Sequence, residues 1–175
     1  MLCLVILLSS AIFPSLGLEI VFEKCEQLVG FDLVESTLRV RKYNRTMPVL
    51  NGTIIMKADA NDSFMVHTDL FHSRLGNQQF NHYPMKLPTS GMCEFIDHIH
   101  NNYPEVRELI INFPEKGACP ITARDFHILN VAFPSRLVPP ILPKGLWKMF
   151  STVKEGNVDR SVFEVTVRAY SDNYF

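Results

Sequence analysis

Phe163-Glu164-Val165-Thr166-Val167-Arg168-Ala169 alternates apolar and polar side chains without a break. Successive side chains of a strand point to opposite faces. This period of two therefore places Phe163, Val165, Val167 and Ala169 on one face and Glu164, Thr166 and Arg168 on the other. The same pattern recurs toward the amino terminus. Phe64, Val66, Thr68 and Leu70 alternate with Met65, His67 and Asp69, and Leu38 and Val40 alternate with Thr37, Arg39 and Arg41. Residues 145–153, 125–133 and 52–58 supply three more candidate strands, and Asn61-Asp62, Pro139-Pro140 and Glu155-Gly156-Asn157 supply turn signals between them. Six or more short strands with such punctuation predict a mainly β, antiparallel sandwich or barrel. One segment departs from the period of two. Met92, Phe95, Ile96 and Ile99 recur at three- and four-residue spacing, which predicts an amphipathic helix over residues 91–103 that Pro104 stops or restarts. A two-sheet antiparallel sandwich with one short helix crossing one end is the economical architecture.

Composition agrees with a folded domain and narrows its partners. Of 175 residues, 47% are apolar and 20% charged, and 17 basic side chains face 18 acidic ones for a net charge of −1. Charges spread so evenly lack the basic footprint that a phosphate backbone requires, so nucleic acid is not an expected partner. The absence of internal repeats, linkers and low-complexity stretches makes residues 18–175 one domain. Residues 1–17, MLCLVILLSSAIFPSLG, read as a signal peptide. Leu2 to Leu8 form its apolar run, and Ser15-Leu16-Gly17 put small residues at the −3 and −1 positions of a cleavage site. The competing reading is an uncleaved membrane anchor, which needs about 20 apolar residues, whereas Ser9, Ser10 and Pro14 interrupt this segment and Glu19 ends it. A secreted, extracellular protein is expected.

An oxidising compartment changes how thiols are read. Cys3 leaves with the leader, and Cys25, Cys93 and Cys119 remain. An odd number leaves one thiol free or joined to another chain, so a disulfide-linked dimer through Cys25 is one expectation. Cys93 and Cys119 bracket the helical segment and a Pro-rich turn, and a bridge between them would close a loop worth about 3.5 kcal/mol in the chain-entropy model. The alternative is three buried, reduced thiols. Asn44-Arg45-Thr46, Asn51-Gly52-Thr53 and Asn61-Asp62-Ser63 are glycosylation sequons, so Asn44, Asn51 and Asn61 are candidate glycan sites. Asn51-Gly52 is also the preferred pair for a type I′ hairpin turn.

Signatures of catalysis are missing. His98 and His100 lie two apart, which on a helix separates them by about 200°, too far to close on one metal. The sequence contains no Cys-x-x-Cys, His-Glu-x-x-His or Gly-x-Ser-x-Gly, and His67, His72, His82 and His127 are scattered. No catalytic residue, metal set or cofactor is assigned, and the chain is expected not to be an enzyme. Gly145-Leu146-Trp147 has the Gly-x-Trp form of the lipocalins but lies in the last fifth of the chain instead of on a first strand. A core tryptophan on a strand that opens with glycine is a sufficient account of it.

The runs GMCEFIDHIHNNYP, EKGACPI and PPILPKGLWKMFSTVKEG, followed by the valine-alternating strand, resemble the insect secreted family that includes the chemosensory CheA/CheB proteins. These in turn look like the ganglioside-activator protein and the wider ML-type lipid-recognition sandwiches. The resemblance spans about residues 19–170. It matches Cys93 and Cys119-Pro120 to that group's helix-to-strand bridge, and Cys25 to a first cysteine whose partner in the closing strands is missing here. It implies a cup whose two sheets splay apart around a lipid or other hydrophobic ligand. By strand parity the candidate cavity wall is Phe64, Val66, Trp147, Met149, Phe163, Val165 and Val167, though a dry core would use the same residues. The implied function is a secreted carrier for a hydrophobic molecule, such as a cuticular hydrocarbon pheromone in chemosensory perception, delivered to a membrane receptor or channel. The alternative is a filled sandwich that recognises another protein by its surface.

Overall fold

The computed structural model describes residues 18–171 apart from Lys86 and Pro140. The expected leader, with Cys3, and the last four residues lie outside the described residues. The strands are β1 (Leu18–Val29), β2 (Val34–Ser36), β3 (Arg39–Lys42), β4 (Pro48–Met56), β5 (Phe64–Ser73), β6 (Asn81–His82), β7 (Ser90–Gly91), β8 (Arg124–Val131), β9 (Gly145–Glu155) and β10 (Val158–Ser171). Between β7 and β8 lie helices α1 (Met92–Asn102) and α2 (Pro104–Glu108), and a short 3-10 turn covers Ser135–Leu137.

These strands form two antiparallel sheets. The large six-stranded sheet runs β1-β10-β9-β5-β6, with β7 also paired to β5. In the small four-stranded sheet β2 and β3 follow one another along one side of β4, and β8 pairs with the other. The alternating strand is β10, which pairs β1 on one side and β9 on the other. Val165 therefore faces both Cys25 and Met149 across the sheet, and Val167 faces Phe22 and Trp147. A bulge between Phe22 and Lys24 carries the inward phase of β1 from even to odd positions. That shift hides β1 from a period-two reading, and it is the longest strand the sequence analysis missed, beside the two- and three-residue strands β2, β6 and β7.

The helical corner explains itself residue by residue. Met92, Phe95 and Ile96 turn one face of α1 onto a cluster formed with Met56, Ala60, Cys93 and Ile121. Local sequence supplies no side-chain cap for α1, because Gly91 precedes it. Asp62 caps it from 31 residues before Cys93, its Oδ1 accepting from the Cys93 N–H at 2.8 Å and the Glu94 N–H at 3.3 Å. Gly91 makes room for this, since a Cβ there would run into the Asp62 side chain. The disulfide joins Cys93 to Cys119 with a Cα separation of 5.7 Å.

One expectation changes, and one choice left open by the sequence is settled. Asn51-Gly52 is not a hairpin turn. It lies inside β4 at an irregularity in the β4/β8 pairing, where Gly52 adopts φ 144°. A Cβ on Gly52 would stand 2.6 Å from the Thr37 carbonyl oxygen, so close backbone approach selects this glycine. Pro104 does more than stop α1. Its fixed φ suits a first helical position, and it opens α2.

Candidate functional site

Burial along β10 runs against simple expectation. Outward Glu164 and Thr166 are buried, while inward Val165 and Val167 are only half-buried. The outward face is covered by charge pairing and by the segment after β5. Glu164 Oε1 accepts from Lys24 Nζ at 3.4 Å and pairs with Lys148 Nζ at 3.3 Å. The Phe80 ring lies 4.7 Å from that second ammonium. The inward valines instead face open space between the sheets.

That space consists of adjoining cavities. The largest has a volume of about 530 Å³ and is walled by apolar groups from every layer: Phe22 of β1, Leu50 of β4, Ile128 and Val131 of β8, and Val106 of α2. The loop from Phe133 to Leu142 closes over it, and Ile141 on its wall is 88% exposed, which marks the mouth. Its size falls within the range of about 300–1,000 Å³ common for small-molecule pockets. A smaller cavity of about 170 Å³ shares Met85, Phe133, Val138 and Leu142 with it and is floored by Trp147, Met149, Val165 and Val167 of the large sheet. A third, of about 280 Å³, lies between β5 and α1 and shares Tyr103 and Val106 with the largest.

Trp147 is held firmly at the cavity floor. Its indole Nε1 donates to the Pro143 carbonyl oxygen at 2.8 Å, and its ring stacks on His72 at 4.4 Å and meets the Tyr83 edge at 4.6 Å. The tryptophan is 4% exposed. Its polar atom is therefore satisfied by backbone, leaving an apolar ring for the cavity.

Of the wall residues named from sequence, the structure brings Trp147, Met149, Val165 and Val167 together around the smaller cavity and puts Val66 on the third. Phe64 packs instead against the helical cluster, and Phe163 sits on β10 opposite Gln27 and Ser151. Sequence reasoning missed most of the largest cavity. Val106, Leu109 and Ile110 recur at helical spacing after Pro104, a signal that was present, whereas the irregular run from Phe133 to Leu142 has no period to read.

Cys25 is a free thiol, buried on β1 opposite Val165. Burial first, then the negative charge of Glu26, push its pKa up to about 11. Asn44 and Asn61 are exposed, and each uses Oδ1 to accept from backbone, Asn44 from the Met47 N–H at 2.8 Å and Asn61 from the Ser63 N–H at 2.9 Å. Asn51 is half-buried, and its Nδ2 donates to Asn130 Oδ1 at 3.3 Å. Asp62, Cys93 and Cys119 place potential ligand atoms within 4.8 Å of one another, but the two sulfurs are bonded to each other and Asp62 caps α1, so the cluster is structural.

No family model matches the chain, and no curated protein matches it. The resemblance stated above therefore stands on the residues quoted for it.

Proposed function

We propose that this protein is a secreted carrier that shields a lipid or other hydrophobic small molecule between its two sheets. The observation that supports it most is the apolar cavity of about 530 Å³, which adjoins the Trp147 floor and opens beside Ile141. Burial of each methylene contributes about 0.8 kcal/mol, so a long chain needs few polar contacts to be retained. A dry core of the same residues would instead close such space, because protein interiors pack to crystal-like density. The signal-like leader and the Cys93–Cys119 bridge favour export. Among the described residues no helix is long and apolar enough to cross a membrane. The resemblance to the chemosensory proteins adds a cuticular hydrocarbon as one ligand and a membrane receptor or channel as its destination. Burial of Cys25 weighs against a dimer bridged through it. The role is one of binding and release, with no bond chemistry.

The test is displacement of an apolar fluorophore, N-phenyl-naphthylamine, from protein secreted by eukaryotic cells. Long-chain lipids should displace it and alter the emission of Trp147, the chain's one tryptophan. A protein that takes up neither dye nor lipid is a filled sandwich, and recognition through its outer surface is then the better reading.

A further inference from the structure

The cavity between β5 and α1 differs from its neighbours in chemistry. Thr68, Ser90, Glu94 and His98 line it beside Phe95 and Ile99, whereas the largest cavity is lined by aliphatic and aromatic side chains and carries no charged group. Glu94 and His98 stand four apart on α1, so they share one helical face with Cβ atoms about 6 Å apart. Both are solvent-exposed, which puts them at the outer rim. The tautomer of His98 follows from its partner. Asn102 Nδ2 donates to both the His98 carbonyl oxygen and His98 Nδ1, each at 3.1 Å. With Nδ1 accepting, the proton of the neutral ring lies on Nε2, and the ring offers the rim a donor. Glu94 offers it an acceptor. Tyr103 and Val106 belong to the walls of both this cavity and the largest one, so the two cavities abut across these side chains.

We propose that this rim is a head-group subsite for a hydroxyl, and that the ligand is a long-chain alcohol with its hydroxyl between Glu94 and His98 and its chain running past Tyr103 into the apolar cavity. A hydroxyl is the smallest group that donates to a carboxylate and accepts from an imidazole N–H at once. A carboxylate head would meet the like charge of Glu94, an amine would find only one of its two partners, and a hydrocarbon would leave both in water. The inference rests on the carrier reading and sharpens it.

The experiment compares displacement of N-phenyl-naphthylamine by hexadecanol, hexadecyl methyl ether and hexadecanoic acid. Hexadecanol should bind about fivefold more tightly than the ether, which has the chain but no donor, and more tightly than the acid, as one partly exposed hydrogen bond allows. Glu94→Ala should reduce the preference over the ether to near parity without weakening ether binding, and His98→Ala should act in the same direction. Both side chains are exposed, so the variants keep the fold, which thermal melting checks. Equal binding of alcohol and ether by the wild type, or a preference that survives both variants, overturns the head-group subsite and leaves the carrier reading in place. Failure of all three compounds to displace the dye overturns both.

Discussion

Asp62 does for α1 what a neighbouring serine or threonine does for most helices, and it does so across a long stretch of chain. Loss of an N-cap costs about 1–2 kcal/mol, so Asp62→Ala should lower the unfolding free energy by that amount, read as a lower denaturant midpoint at unchanged slope. Gly91→Ala should also destabilise, since its new Cβ displaces the same carboxylate. The two changes remove one interaction, so a double-mutant cycle should give much less than the sum of the single losses. Additive losses would mean that Gly91 serves some purpose other than admitting Asp62. Cys25 supplies a pH signature. In the unfolded chain its thiol ionises near its ordinary 9.0, whereas in the native protein it stays neutral up to about 11. Between these values the unfolded state binds fewer protons, so stability is intact below the lower pH and falls as pH rises toward the upper one. Urea midpoints measured through this window should decline by the order of 2 kcal/mol in stability, and Cys25→Ala should flatten that part of the profile. A profile that is unchanged in the variant would place the alkaline loss elsewhere.

Regular alternation made β5, β9 and β10 readable, and three- and four-residue spacing made α1 readable, because each presents one face to a core. The elements that escaped did so for local reasons. The bulge in β1 breaks its phase after Phe22, and α2 is a single turn, too short for its spacing to show whether Pro104 stops or restarts a helix. The wall residues on regular strands, Trp147, Met149, Val165 and Val167, followed from parity, but the wall built from the loop between Phe133 and Leu142 could not. Asn51-Gly52 was misread because a turn dipeptide and a strand irregularity draw on the same freedom of glycine. The bridge between α1 and the segment before β8 belongs at this scale. Its cysteines are 26 residues apart, and replacing both with alanine should cost about 3.5 kcal/mol in the chain-entropy model, read as a lower melting temperature without loss of the native near-ultraviolet spectrum. A loss well under about 1 kcal/mol would mean that Asp62 and the helical cluster hold α1 in place unaided.

Whether the molecule holds space or filler between its sheets decides its biology, and a volume-adding substitution separates the two. Val131 lies at the end of β8 on the wall of the largest cavity. Val131→Phe should leave stability within about 0.5 kcal/mol of the parent while weakening uptake of an apolar dye several-fold, because the ring enters room a ligand would use. The same change in a packed core costs about 1–3 kcal/mol. Destabilisation of that size, in a protein that binds no dye before or after, would move the case to surface recognition.

The pairing of β1 with β10 has a consequence in time as well as in space. The register joins Leu18 to Ser171, so the first of the described strands to be synthesised finds its neighbour only when the last of them arrives. Until then β1 is an edge with nothing to pair, and β9 lacks the strand that separates it from β1. Closure of such distant contacts is slow, and the waiting chain exposes unpaired backbone and the apolar inner face of both sheets. Completion of the large sheet accordingly waits on β10, and whatever shields unpaired backbone during that interval governs how much chain reaches the folded state.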